Sequence, residues 1–438
     1  MSLVLNTIYA VLLLLCSPVL LYKAMRTGKY CDGWSEKLLG KAPHRLGDHP
    51  CIWFHAVSVG EVLLLRPVLE EITRRRPGWD IVISTTTRTG LSVARRTYPD
   101  VITFYAPLDF SWSTRRAVSR IRPTVLALVE LELWPNLVLA AKNQGARVII
   151  INARLSRRSH RGYRAIRGPL GPTLRRLDSV SAQTEEYAAR FVDLGIPEQR
   201  VRVTGSVKFD GLESDRSNPR TTRLRRTLEL STADIVFVAG STMEGEEAAA
   251  LAAFRVARRT HPGIRLVLVP RHAERFDQVA KYLSSEGESF LRRSDPGLVI
   301  PSKRGDKGPP VILIDTIGEL SAVWGLADVA FVGGSLLPGR GGQNMMEPAA
   351  FGASVMFGPH TENFRETVDQ LLACGGARRI KGASALTVAL LEDLSDPESA
   401  AIRGAAGRSY VLAQNGAAER TLEELDRLLE TSIGPKMA

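Results

Sequence analysis

VAFVGGSLLPGRGGQNMMEP, residues 329–348, decides how the rest of the chain is read. Its first four residues, Val329-Ala330-Phe331-Val332, form a continuous apolar run, the pattern of a strand buried on both faces of a parallel sheet. Met346-Glu347-Pro348, running on into Ala349-Ala350-Phe351, reads as the start of a helix. Seven of the sixteen residues from 333 to 348 are Gly or Pro, so neither element continues through them. Glycines let backbone N–H groups approach a ligand closely, and a helix N-terminus favours negative charge. Strand, glycine-rich loop and helix in this order make an anion cradle. The same loop also serves to reverse the chain in any α/β unit, so its ligand has to be argued from other segments.

Working outward, short apolar runs alternate with longer amphipathic ones. Residues 51–54, 80–84, 101–104, 125–129, 147–151 and 179–182 read as strands, with helical stretches such as 62–75 and 185–194 between them. The pattern loosens at 210–232, rich in Arg, Ser and Asp and containing Pro219, which reads as a linker. A second series follows at 235–239, 265–269, 311–314, 329–332 and 354–357, and the polar stretch 294–310 reads as a surface loop. Alternation of this kind implies parallel βαβ units. The expected fold class is therefore α/β, with two Rossmann-like domains facing a cleft and ligands beyond the carboxyl ends of the strands. The expected divisions are an anchor at 1–22, an N-terminal domain at 23–210, a linker at 211–232, a C-terminal domain at 233–415 and a final helix at 416–438 packing back on the N-terminal domain.

Composition narrows the partners. Of 438 residues 44% are hydrophobic, enough for large cores, but the net charge of +12 points to nucleic acid, anionic lipid or phosphorylated substrates. Nucleic acid is disfavoured because aromatic residues are not interleaved with the basic ones, as in the Arg-rich stretch 157–176. Cys16, Cys31, Cys51 and Cys374 show no paired spacing, which argues against a disulfide framework or a zinc site. The run from Leu3 to Tyr22 is apolar apart from Asn6, Thr7, Ser17 and Pro18, about one bilayer crossing. No Lys or Arg precedes it, whereas Lys23, Arg26, Lys29, Lys37, Lys41 and Arg45 follow, so it reads as an uncleaved anchor with the rest of the chain in the cytoplasm. Pro18 leaves room for a helix lying in the interface, and a buried core helix is the further alternative.

Several strand ends carry chemistry. After the first strand, Ser58-Val59-Gly60-Glu61 puts a carboxylate at the ligand edge of the sheet, either as a general base or merely as an acid at a helix start. Glu130 and Glu132 follow the long apolar strand 125–129, and an acid there needs a cationic or sugar partner. Lys208 stands just before the linker, where a solvated surface lysine is the plain alternative. In the second half, Gly240 to Glu246 repeats the small-residue turn with acids opening a helix. Pro270-Arg271-His272 ends the next strand, with Arg271 either holding a phosphate or pairing with Glu274. In the turn at 315–319, Ile317 and Gly318 can offer backbone groups to a base edge, and 358–364 reads as a closing loop or equally as a packed turn.

Together these segments resemble the 3-deoxy-D-manno-octulosonic acid (Kdo) transferases that act on the lipid A precursor. The likeness is carried by SVGE at 58–61, ELWPN at 132–136, NARLS at 152–156, GSVKFD at 205–210, EGEE at 244–247, VPRHAERF at 269–276, GEL at 318–320, ADVAFVGGSL at 327–336 and GPHTENF at 358–364. The resemblance implies a GT-B glycosyltransferase on the cytoplasmic face of the inner membrane that uses CMP-Kdo as donor and needs no metal or other cofactor. It implies Glu61 as proton acceptor and Glu130 and Lys208 as transition-state stabilisers. It implies CMP contacts from Pro270, Arg271, Ile317, Gly318, Glu319, Asn344, Met345, Met346 and Glu347. The chain departs from the family pattern at Gln343, where a His is usual, at Leu131, where Thr is common, at Ile317, where many relatives have Met, and in a cradle loop one residue longer. The alternatives are another GT-B enzyme using a UDP-sugar, as transferase or epimerase, and a non-catalytic, membrane-tethered binder of anionic lipid.

Overall fold

The computed structural model describes residues 2–27, 32–295 and 308–430. Most of the polar stretch 294–310, Lys29 and Cys31 of the segment after the anchor, and residues 431–438 of the terminal helix lie outside the described residues. The chain forms two compact units: residues 1–210 with 414–438, and residues 211–413.

Each unit is built on a seven-stranded parallel sheet. The first contains β1 (Cys51–His55), β2 (Asp80–Thr85), β3 (Ile102–Tyr105), β4 (Val125–Val129), β5 (Arg147–Ala153), β6 (Ser179–Ala182) and β7 (Val201–Val203), in the order β3-β2-β1-β4-β5-β6-β7. The second contains β8 (Ile235–Thr242), β9 (Ile264–Pro270), β10 (Phe290–Arg292), β11 (Val311–Leu313), β12 (Val329–Val332), β13 (Ser354–Phe357) and β14 (Ala377–Arg379), in the order β10-β11-β9-β8-β12-β13-β14. In each sheet the order reverses beside the first strand, between β1 and β4 and between β8 and β12. Such switch points open a crevice at the carboxyl edge, where doubly wound folds bind ligands.

Both faces of each sheet are covered, which is why the strands read as apolar runs rather than as alternations. In β1, Cys51 and Trp53 pack in one core and Ile52 and Phe54 in the other, following the two-residue period of a strand. Leu422 and Leu425 of the Ala417–Glu430 helix join the second of these cores. The carboxylate of Asp210 accepts from the backbone N–H groups of Gly416, Ala417 and Ala418, holding the start of that helix against the first unit.

Two sequence readings change. The segment 211–232, read as a linker, carries a helix, Pro219–Thr227, and belongs to the second unit. Asn218 caps that helix, Thr221 Oγ1 donates to Ala322 O, and Arg216 donates to the carbonyls of Phe351 and Ala327. Polar side chains that looked linker-like are spent on caps and on neighbouring carbonyls. The helix read as continuous from 62 to 75 is two, Val59–Leu64 and Arg66–Arg75, broken at Leu65 because Pro67 sits in the first turn of the second.

Candidate active site

The first unit gathers its carboxylates at the switch point. Glu61 lies just beyond β1, and Glu130 and Glu132 just beyond β4. Ser58 caps the Val59–Leu64 helix: its Oγ accepts from Glu61 N–H at 3.3 Å and donates to Glu61 Oε1 at 2.8 Å, while Glu61 Oε2 accepts from Val57 N–H at 2.8 Å. This is a reciprocal cap, a variant of the capping box in which Glu61 reaches the N–H one residue before the N-cap Ser58, so the helix-start reading of Glu61 is realised in the fold. It does not exhaust the residue, because a carboxylate with two hydrogen bonds keeps lone pairs for a hydroxyl. Burial pushes the Glu61 carboxyl above its ordinary 4.5 and the charges of Glu132 and Glu130 add to this, while the Ser58 and Val57 bonds pull the other way.

Glu130 carries a backbone φ of 59°, a left-handed conformation uncommon for a residue with a Cβ. The strand therefore ends at Val129, and Glu130 is not placed by strand pleat. Its Oε1 meets Lys208 Nζ at 3.3 Å, so the two residues read separately from sequence form one ion pair. Lys208 is placed by a buried asparagine: Asn152 Oδ1 accepts from Val207 N–H at 3.1 Å and fixes the 207–209 turn. Glu132 accepts from Trp134 Nε1 at 2.9 Å, and burial raises its carboxyl also. Trp134 stands edge-on to the buried His55 ring, 5.7 Å away. Burial lowers His55 to about 4, so it is neutral near pH 7.

In the second unit, Pro270 closes β9 and Arg271 follows it, exposed and held through its N–H to Thr242 O at 3.0 Å. Asn344 lies between β12 and the Met346–Ala350 helix, donating to Glu347 Oε1 at 2.9 Å and accepting from Met346 N–H at 3.0 Å. Burial raises the Glu347 carboxyl, and the nearby charge of Arg271 offsets part of that rise. Asn344 and the charge of Arg271 thus both act on Glu347, and Met345 and Met346, between Asn344 and Glu347 in the chain, are buried. Ile317 is 85% exposed at the tip of its turn and Gly318 has a φ of 91°. Glu319 is engaged by Arg293 at 3.0 Å and by the Thr316 hydroxyl. Arg271 is not seen paired with Glu274, whose neighbour is His272 at 4.0 Å.

The glycine cradle needs a correction. Its first N–H groups already hold an anion, and that anion is Glu246. Gly334 N–H and Met243 N–H donate to Glu246 Oε2 at 2.7 and 2.8 Å, and Ser335 and Leu336 N–H donate to Oε1 at 2.9 Å each. Gly333 makes room for this, since a Cβ there would meet Ser241 O at 2.5 Å and Glu246 Oε2 at 2.7 Å. The β8/β12 crevice is filled by a resident carboxylate that is 1% exposed. Glu247, also buried, binds Arg275 through both oxygens at 2.7 and 3.1 Å and accepts from Thr242 Oγ1 at 2.8 Å. An added anion has only the later part of the loop and the start of the Met346–Ala350 helix. Gln343, in the family's histidine position, packs against Gly334.

The chain matches the family model described as 3-deoxy-D-manno-octulosonic-acid transferase (kdotransferase) over residues 32–211. The Kdo transferase of Haemophilus influenzae is 33% identical over 435 residues, covering 97% of this chain and 99% of the relative. That of Bordetella pertussis is 34% identical, covering 86% of each. The chain belongs to the Kdo transferase family.

Solved structures show the architecture independently. The UDP-GlcNAc 2-epimerase of Neisseria meningitidis superposes with a TM-score of 0.58 at 14% identity, covering 86% of this chain and all of that one. A glycosyltransferase from Rickettsia africae gives 0.55 at 13%, covering 87% and 99%. At such identities they speak to the fold alone, which is that of GT-B glycosyltransferases. Within the Kdo transferase fold the sequence reading gave Asn152 no role of its own, and took Glu132 only as an acid beyond a strand and Glu246 only as an acid opening a helix. All three lay in quoted motifs, but only the folded chain shows that Asn152 positions Lys208 and that Glu246 occupies the cradle.

Proposed function

We propose that this Kdo transferase is an inverting enzyme that moves Kdo from CMP-Kdo to the lipid A precursor (lipid IVA) at the cytoplasmic face of the inner membrane. The observation that carries this is the group formed by Glu61, Glu130, Glu132 and Lys208 at the β1/β4 switch point. Glu61 takes the proton from the primary hydroxyl of the acceptor sugar as that oxygen attacks the anomeric carbon. Its raised pKa makes it a better base than an ordinary carboxylate. The C–O bond to CMP breaks as the new bond forms on the opposite face. Lys208 offsets negative charge on the donor carboxylate or departing phosphate, and Glu130 offsets oxocarbenium-like charge on the sugar. Arg271 holds the CMP phosphate with the Asn344–Glu347 segment, and Ile317, Gly318 and Glu319 flank the base.

The test is transfer from CMP-Kdo to tetraacylated lipid A precursor by the full chain, with products counted by mass. CMP is expected to raise the melting temperature more than UDP does. Equal protection by both, with no mass gain on the acceptor, refutes the donor assignment.

A further inference from the structure

The Ser2–Thr27 helix is long and apolar enough to cross a bilayer, yet two of its polar groups, on Asn6 and Tyr9, are not idle. Asn6 Oδ1 accepts from Ser111 N–H at 3.0 Å, and Asn6 Nδ2 donates to Ser111 Oγ at 2.8 Å. Ser111 opens the Ser111–Ile121 helix, so Asn6 caps it from a distant part of the chain. Tyr9 Oη donates to Asp109 Oδ2 at 3.1 Å. Asp109 is buried, and its two oxygens also accept from Asn136 N–H at 3.0 Å and Leu137 N–H at 2.8 Å at the start of the Pro135–Asn143 helix. The anchor is thus joined to the caps of two helices in the first unit.

These contacts constrain topology. At about 1.5 Å per residue, Tyr9 lies roughly 27 Å along the helix from Thr27. A hydrocarbon core is about 30 Å thick. If the helix crossed with its Thr27 end toward the folded units, Asn6 and Tyr9 would reach the far boundary. There they could meet neither Ser111 nor Asp109. Instead Ser2, Leu5, Asn6, Tyr9 and Leu13 form the less exposed stripe, and Leu3, Val4, Val11, Leu14, Leu15 and Val19 point away. The junction carries the marks of a membrane boundary. Phe110 stands edge-on to Tyr9 at 6.1 Å and stacks on Trp112 at 4.5 Å, and Trp112 is half exposed. One turn on, exposed Arg115 and Arg116 line a shallow depression of about 630 Å³ beside Trp112. Aromatic rings and arginines beside an apolar helix face suit the headgroup layer of an anionic leaflet.

We infer that the Ser2–Thr27 helix does not cross the bilayer but lies along the first unit and enters one leaflet sideways, with Trp112, Arg115 and Arg116 at the anionic headgroups. This placement holds whether or not the transfer reaction proposed above is right.

The experiment uses the full chain in plasma-membrane vesicles of an expression host, with Cys51→Ala and the other native cysteines replaced by Ser. A Ser2→Cys variant is expected to react with an impermeant maleimide in inside-out vesicles and to stay unlabelled in right-side-out ones. Labelling confined to right-side-out vesicles overturns the inference. An Asn6→Cys/Ser111→Cys pair is expected to form an intramolecular disulfide under mild oxidation. A pair that stays reduced in folded protein likewise overturns it. Arg115→Glu/Arg116→Glu is expected to lower flotation with phosphatidylglycerol-containing vesicles at least threefold and to leave that with pure phosphatidylcholine unchanged. Unchanged flotation on both refutes the headgroup assignment.

Discussion

Replacing Glu246 by glutamine tests whether the glycine loop is organised by its own buried anion. The wild-type carboxylate accepts four backbone N–H groups at 2.7 to 2.9 Å. A glutamine of the same shape keeps one acceptor oxygen and turns an NH2 group toward the other pair of donors. Two bonds are lost and two donors face a donor. Hydrogen bonds to charged groups contribute about 1.5–3 kcal/mol each, so the loss is roughly 3–6 kcal/mol before relaxation. Relaxation of the loop toward water recovers part of this, and about 3 kcal/mol is the expected net loss in local stability. At 1.36 kcal/mol per tenfold that is roughly a hundredfold in opening. Amide hydrogen exchange followed by mass spectrometry, on peptides covering 333–342, reads this opening directly. The Gly334, Ser335 and Leu336 amides are expected to exchange about a hundred times faster in Glu246→Gln. The KM for the donor nucleotide is expected to rise more than kcat falls, because the segment after this loop leads into Asn344 and Glu347. Exchange within threefold of wild type would falsify the claim that Glu246 holds the loop.

Three further substitutions separate chemistry from stability at the first sheet. Glu61→Gln is expected to lose about two to four orders of magnitude in kcat, the usual worth of a general base. In the wild type the acid limb of the pH profile is expected above pH 4.5, because burial raises the Glu61 carboxyl. The folded state favours the protonated acid, so this burial stabilises most at low pH, and that stability is lost as pH rises through the folded pKa. Glu61→Gln, which keeps a capping-box side chain, is therefore expected to melt no lower than wild type near neutral pH, and a marked drop counts against this account. Lys208→Ala is expected to reduce turnover about 10²–10³-fold. Its effect on melting is expected to be worth less than about 1 kcal/mol, since both partners of the ion pair are partly exposed. Glu130→Gly relieves the left-handed backbone at φ 59° and is expected to stabilise the first unit by roughly 0.5–1 kcal/mol while lowering activity. A denaturant melt showing destabilisation contradicts that reading.

Much of the fold was legible because a parallel sheet covered on both faces leaves continuous apolar runs. The eleven strands expected from such runs all form, from Cys51–His55 to Ser354–Phe357. The three strands not anticipated are Val201–Val203, Phe290–Arg292 and Ala377–Arg379, each three residues long and at the edge of its sheet. An edge strand pairs on one side and is partly wet, so Arg202, Arg292, Arg378 and Arg379 break the apolar pattern without breaking the strand. At the site, Glu61 was legible because Gly60 beside an acid stands at a strand-to-helix turn, which puts the carboxylate at the ligand edge of the sheet. Its proximity to Glu130 and Glu132 was not, because crossovers of many residues separate β1 from β4. The pairing of Glu130 with Lys208 depends likewise on Asn152 in a third strand.

The two crevices are used in opposite ways, and the difference bears on how a donor anion is held. At β1/β4 the carboxylates of Glu61, Glu130 and Glu132 stand at the edge, with Lys208 as the cation against Glu130. At β8/β12 the backbone donors that usually face a phosphate are occupied by Glu246. A fixed carboxylate there presets the loop without waiting for ligand, and it places a negative charge where a phosphate would otherwise sit. On the function proposed above, the donor phosphate then depends on side-chain cations and on the helix start rather than on a nest of N–H groups. Arg271, set by its own N–H to Thr242, is the cation we propose for it, and Glu247 supports the neighbouring Arg275. Arg271→Lys retains the charge but not the two-pronged donor geometry. It is expected to weaken CMP binding about tenfold by calorimetry, whereas a loop that bound phosphate through its backbone would scarcely register the change. Affinity within twofold of wild type would return the phosphate to the glycine loop and require Glu246 to move aside.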